Sequence, residues 1–127
     1  MKRIEKLNPN QVFVFGSNAH GHHAGGAARQ ALEKFGARWG QAKGLQGQSY
    51  GIVTLDENMR KVSLHYIRLQ LVQLAEFATA NPEKEFLLTA IGCGIAGFKV
   101  EEMREEVQKI WFPDNVVLPE EFSTYER

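Results

Sequence analysis

Two short glycine-bearing segments constrain this chain more than any other feature, because each one directly follows an apolar run. The first is "FGSNAHGHHAGGAARQAL", residues 15–32, which comes after Gln11-Val-Phe-Val-Phe15. The second is "IGCGIAGF", residues 91–98, which comes after Glu85-Phe-Leu-Leu-Thr-Ala-Ile91. Short β-branched and aromatic runs bounded by glycine predict strands. Each is followed by a stretch with helical spacing. Ala24, Ala27, Ala28, Ala31, Leu32 and Phe35 lie on one face of a helix over 24–35, with Gly36 as its stop. Val100, Met103, Val107 and Ile110 form the buried side of a helix over 100–110.

Between them, Gly51–Thr54 predicts another strand, and Ser63 is placed to cap a long helix carrying Leu64, Ile67, Leu71, Leu74, Ala75 and Ala78. Asn81-Pro82 ends that helix. Val116–Leu118 predicts a last strand, and the residues from Pro119 onward read as a tail. The glycine-rich stretch 36–51 reads as a long irregular connection. The apolar run 85–91 predicts a strand buried on both faces.

Strand, loop and helix alternate about three times, which predicts an α/β fold with a mostly parallel sheet covered by helices on both sides. In such sheets the ligand crevice lies outside the carboxyl ends of the strands. Both glycine loops therefore open at the same edge.

The 127 residues suffice for one domain, with a core over roughly residues 11–118. Fifteen basic and fifteen acidic side chains cancel. That leaves no electrostatic footprint for duplex nucleic acid or an anionic membrane. Cys93 is the single cysteine, so disulfide frameworks and thiolate zinc clusters are excluded. A lone thiol fits a reducing compartment. The first fifteen residues contain no signal-peptide pattern, and no apolar stretch approaches the roughly 20 residues of a membrane helix. The expected location is the cytoplasm.

Glycine lets a ligand approach backbone amides closely. A loop feeding a helix start presents unpaired N–H groups and the positive end of the helix dipole, a site for phosphate or carboxylate. Gly25 and Gly26 stand at the first helix start; Gly92, Gly94 and Gly97 stand where the chain leaves the later strand. Two such loops side by side can clamp two adjacent phosphates. The alternative is that both are merely tight connections. Neither the Walker nor the dinucleotide glycine pattern occurs.

Asn18 has two open readings: a ligand for ribose hydroxyls, or a side chain that closes its own loop. His20, His22 and His23 lack a carboxylate or cysteine to complete a metal set, and no metal or cofactor is expected. A general acid–base role for His22 or His23 is the competing reading. Cys93 lies at a position where a helix N-terminus can activate a thiol, though a small inert residue in a turn is the commoner case. Lys43 and Tyr50 are candidates for contacting phosphate and base; the plainer reading makes Tyr50 a core cap.

The motifs "VFGSNAHGHHAGGAARQAL" and "TAIGCGIAGFKVEEM" resemble those of the macrodomain superfamily, in particular a short branch of bacterial and phage-type proteins. The resemblance implies a reduced three-layer α/β/α sandwich that binds ADP-ribose or a related nucleotide diphosphate. It implies that Asn18 faces the distal ribose, with Gly16 and Ser17 leading into it. Gly25, Gly26 and Ala27 would lie under the diphosphate, and Gly92, Cys93, Gly94, Ile95, Ala96 and Gly97 would wrap it, with Phe98 beside them. Some such proteins only bind; others hydrolyse ADP-ribosyl or ADP-ribose-phosphate bonds, for which the catalytic candidates are Asn18, His22 and His23.

Three departures favour a binder. The acidic residue that reads adenine has no counterpart. Ala27 and Ala28 stand where hydrolytic members often carry aspartate. "LDENMRK" replaces the usual Gly-Pro stretch. A third expectation, an accessory or interaction protein with a vestigial pocket, follows from the same losses.

Overall fold

The computed structural model describes residues 3–123. It is a mixed α/β fold with three helices and a five-stranded, mostly parallel sheet. The strands are β1 (Gln11–Asn18), β2 (Gly44–Gln46), β3 (Ser49–Leu55), β4 (Glu85–Leu88) and β5 (Val116–Val117), in the order β2-β3-β1-β4-β5. β1 is central and runs parallel to β3 and β4; β5 runs parallel to β4. Only β2 is antiparallel, paired to β3. The helices are α1 (Gly26–Lys34), α2 (Leu64–Ala80) and α3 (Val100–Gln108).

Alternate residues of β1 point to opposite faces, as strand geometry requires. Val12 and Val14 join a large buried cluster with Ile67, Leu71 and Leu74 of α2 and Met103 and Val107 of α3. Phe13 and Phe15 join a smaller cluster with Ala28, Ala31 and Phe35 on the α1 side. Ser63 caps α2 as its sequence position predicts: its Oγ accepts the Tyr66 N–H at 3.0 Å. Gly36 follows α1 at φ +77°, the left-handed conformation of a helix stop.

Several sequence expectations are corrected. β1 runs on to Asn18, so Gly16 and Ser17 belong to a strand end and not to a loop; β3 accompanies it, with a register shift between Ser17 and Asn18. The stretch 36–51 holds β2 and a tight turn at Gly47 and Gln48. Strand β4 is buried on one face only: Phe86 and Leu88 are buried, whereas Leu87 is half-buried. Among the described residues no helix covers β4 and β5 on the α1 side, and an open groove of about 710 Å3 lies there over Phe13, Leu87, Thr89 and Val117.

The C-terminal stretch is not all tail. Residues 120–122 form a single 3-10 turn that buries Phe122 in the larger cluster. The Arg104 Nε also donates to the Glu121 carbonyl at 2.8 Å. Residues 124–127 of that stretch lie outside the described residues.

Between its pairing with β2 and the bridge from Leu55 to Lys61, β3 leaves Val53 without a strand partner on that edge, and the side chain of Gln70 fills the gap. Gln70 Oε1 accepts the Val53 N–H at 2.7 Å, and its Nε2 donates to the Val53 carbonyl at 2.8 Å. All these groups are buried, and an unmade buried hydrogen bond costs about 1–3 kcal/mol per group. We expect Gln70→Leu to lower the unfolding free energy by about 2–4 kcal/mol in urea titration. A loss under about 0.5 kcal/mol would show that this edge needs no amide partner.

None of the described helices is long and apolar enough to cross a membrane.

Candidate functional site

The ends of β1 and β3 and the chain leaving β4 meet at one rim of the sheet, where they surround a cavity of about 260 Å3. Both glycine loops reach it. From the end of β1, the glycine loop after it and the start of α1 come Gly16, Ser17, Asn18, Gly25, Gly26 and Ala27; from the second loop come Gly92, Gly94, Ile95 and Ala96. The loops also touch. A Cβ built on Gly16 would lie 3.6 Å from the Gly92 amide nitrogen, and one on Gly25 would lie 3.6 Å from the Ile95 Cδ1.

The cavity is rich in unused donors. Gly25 is the N-cap of α1 and has no side chain to accept from the first turn, and that turn contains no acidic residue. The first intrahelical bond is Arg29 N–H to the Gly25 carbonyl, at 3.2 Å. The amides of Gly26, Ala27 and Ala28 therefore keep the unpartnered donors of a helix start, and all three residues line the cavity. In the second loop, Cys93 N–H, Gly97 N–H and Phe98 N–H are bonded within the loop region, while the amides of Gly94, Ile95 and Ala96 donate to no acceptor among the described residues. The residues that carry both sets of donors line one concave space, an arrangement that suits an anion.

Asn18 closes its own loop. Its Oδ1 accepts the N–H groups of His20 at 3.2 Å and His22 at 3.0 Å, and its Nδ2 donates to the His22 carbonyl at 2.8 Å. Of the two readings left open by the sequence, the loop-closing one is satisfied outright. One N–H of the amide has no partner in these bonds, and the residue borders the cavity.

The histidines divide. His22 lines the cavity. His20 is exposed and hydrogen-bonded through Nε2 to the Glu57 carbonyl at 2.9 Å. His23 is fully buried on the α1 side: its Nε2 lies 3.2 Å from Gln46 Oε1, and its ring meets Phe15 edge-on at 5.1 Å. Gln46 fixes the tautomer. Its Nε2 faces the carbonyls of Gln41 and Gly44, so its Oε1 is the acceptor and His23 donates. A ring held this way in the core does not reach the cavity, so His23 is not placed for acid–base work there. Its Nδ1 is buried without a partner among the described residues.

Three further expected site residues stand away from the cavity lining. Phe98 is buried in the larger cluster, stacked under Gly92. Gly92 has φ +77°, and a Cβ there would lie 2.6 Å from Met103 Cε and 3.0 Å from the Phe98 ring. The glycine is thus needed partly for core packing. Cys93 is half-buried beside that cluster. Burial pushes its thiol above the ordinary range, and the carboxylates of Glu121, Glu102 and Glu101 push the same way. Both effects disfavour the thiolate that a nucleophile needs. Gly97 has φ +80° and completes the turn through its bond to the Gly94 carbonyl. Lys43 sits over the Tyr66 ring, 5.5 Å from its centroid, and Tyr50 is buried in the core, so neither borders the cavity.

Sequence reasoning missed the third wall. Thr54, Leu55 and Met59 follow from β3 ending beside β1. Met59 has φ +60°. Its turn is held by Asp56, whose Oδ1 accepts the N–H groups of Asn58 at 2.8 Å and Arg60 at 3.0 Å. The parallel register of β1 and β3 is the only signal that could have placed these residues at the rim.

Comparison of the chain with protein-family models, with curated proteins and with solved structures gives no match.

Proposed function

We propose that this protein binds ADP-ribose or a related nucleotide diphosphate, with the diphosphate in the cavity between the two glycine loops. One observation carries the reading: Gly26–Ala28 and Gly94–Ala96, whose amides have no acceptor among the described residues, line the same small cavity. Two amide clusters facing one space match a ligand with two adjacent negative groups. Asn18 is part of the same lining, and its remaining amide N–H would meet a ribose hydroxyl. The macrodomain resemblance and its three-layer arrangement belong to this reading. They are supported by β1 feeding one core cluster with α1 and another with α2 and α3. A cytoplasmic location is in keeping with it.

A second reading, a hydrolase of ADP-ribosyl or ADP-ribose-phosphate bonds on the same scaffold, draws on His22 at the cavity wall. The absence of a carboxylate at Ala27 and Ala28 makes binding the better reading. If the protein is a hydrolase, His22→Ala slows turnover of ADP-ribosylated protein or ADP-ribose-1″-phosphate by about 100-fold or more. Unchanged turnover removes His22 from the chemistry.

Calorimetry and thermal melting with ADP-ribose test the binding reading. At 100 times its dissociation constant the ligand adds about 2.7 kcal/mol of stability. For a domain of this size that raises the melting temperature by about 10 °C. No heat and no shift at millimolar ADP-ribose would overturn it.

A further inference from the structure

A shelf of three stacked rings adjoins the cavity through His22. The His20 and His22 rings stack with centroids 5.3 Å apart and planes 26° apart; the His22 and Trp39 rings stack at 4.8 Å and 12°. His22 belongs both to this stack and to the cavity wall. The stack is held from several sides. Asn18 Oδ1 fixes the His22 amide, the Glu57 carbonyl fixes His20, and Gly40 N–H donates to the Gly21 carbonyl at 2.8 Å, tying the Trp39 segment to the histidine loop. Trp39 nonetheless remains 57 % exposed. A large indole held in place, covered by a ring on one side and open to solvent, is a surface prepared for another flat group.

The cavity is also too small for a whole nucleotide. Pockets that enclose drug-sized ligands measure about 300–1,000 Å3. At about 260 Å3 this one falls just below that range, so a nucleotide bound through its diphosphate extends beyond it.

We propose that the His20–His22–Trp39 stack is the shelf on which the heteroaromatic base of the bound nucleotide lies, while its phosphate groups occupy the cavity. This inference rests on the nucleotide-diphosphate reading above. The base packs on the open face of Trp39, and His22 joins the two subsites. Stacking of this kind tolerates any base, because every base has a π-face.

The chain has two tryptophans, so Trp111→Phe leaves Trp39 as the sole indole reporter. In that protein, ADP and ADP-ribose should change the Trp39 emission saturably. Pyrophosphate and ribose 5-phosphate, which carry no base, should bind by calorimetry without that change. Trp39→Ala should weaken ADP-ribose by roughly 5- to 150-fold and leave pyrophosphate affinity unchanged; Trp39→Phe should recover most of the loss. If Trp39→Ala binds ADP-ribose as tightly as the parent while pyrophosphate still binds, the shelf is wrong and the cavity reading stands. If neither pyrophosphate nor ADP-ribose binds the parent, both fall together.

Discussion

Gly25→Asp is expected to make the protein more stable and to destroy its ligand binding. Gly25 caps α1 in an extended conformation, φ −155° and ψ 167°, which any residue adopts. A side chain there meets only the Ile95 Cδ1, at an ordinary 3.6 Å. Aspartate at an N-cap accepts from the orphan amides of the first turn and is favoured by the helix dipole. Replacing glycine should therefore add about 0.5–1 kcal/mol in urea denaturation.

The same carboxylate would sit where the diphosphate is held. Two like charges 4 Å apart near a protein surface repel by roughly 4 kcal/mol, close to a thousandfold in affinity. Gly25→Ser separates the two effects: it caps the helix without adding charge, so it should keep most of the stability gain and lose less affinity. Undiminished ADP-ribose binding by Gly25→Asp would mean that the helix start does not face the ligand.

Gly21→Ala should give the largest stability loss at the site. Gly21 has φ +69°, and a Cβ there would lie 2.5 Å from the Gly40 carbonyl carbon and 2.7 Å from the Gln41 nitrogen. Backbone atoms cannot give way as the end of a flexible side chain can. The left-handed conformation alone costs a side chain about 1 kcal/mol or more, and the clash adds to it. A loss of at least about 3 kcal/mol is expected, measured by urea denaturation. Because Gly21 joins the histidine loop to the Trp39 segment, the variant should also lose the stacked arrangement of His22 on Trp39. A loss under about 1 kcal/mol would mean that the two segments separate easily and that the shelf is not built in.

Much of this fold is written in local patterns. The runs 11–15 and 85–91 are apolar and bounded by turn residues, so their strands are visible without neighbours, although β1 runs on to Asn18 and β4 stops at Leu88. Ser63 before the Leu64–Ala78 stripe marks the start of α2, and its Oγ makes the cap bond. The two glycine loops are legible for the same reason: strand and helix on either side fix which edge they occupy.

What escaped depends on partners far away in sequence. Gly44-Leu45-Gln46 has no β-branched residue, and β2 exists only because β3 pairs with it. Leu87 looks like a residue of a doubly covered strand, but no helix among the described residues lies over β4 on the α1 side, and nothing near Leu87 records that. Phe122 is a single apolar residue among charges, so its burial in the core is invisible locally.

The site shows the same division. The glycines that line the cavity follow from backbone geometry near each strand end. Whether a loop histidine turns outward or inward does not. His23 is adjacent to His22, yet Gln46, 23 residues further on, draws it into the core. Phe98 likewise looks like an aromatic beside a ligand, and it lies under Gly92 because a glycine at that position leaves room for it. Trp39 carried no local signal at all; only its stacking on His22 gives it a place at the site.

The most direct test of two amide clusters serving one anion is a titration followed by amide nuclear magnetic resonance. Pyrophosphate and ADP-ribose are added to the uniformly nitrogen-15-labelled protein. The amide signals of Gly26, Ala27 and Ala28 and those of Gly94, Ile95 and Ala96 should move together, along curves described by one dissociation constant. Movement confined to one loop, or none in either at millimolar ligand, would contradict it.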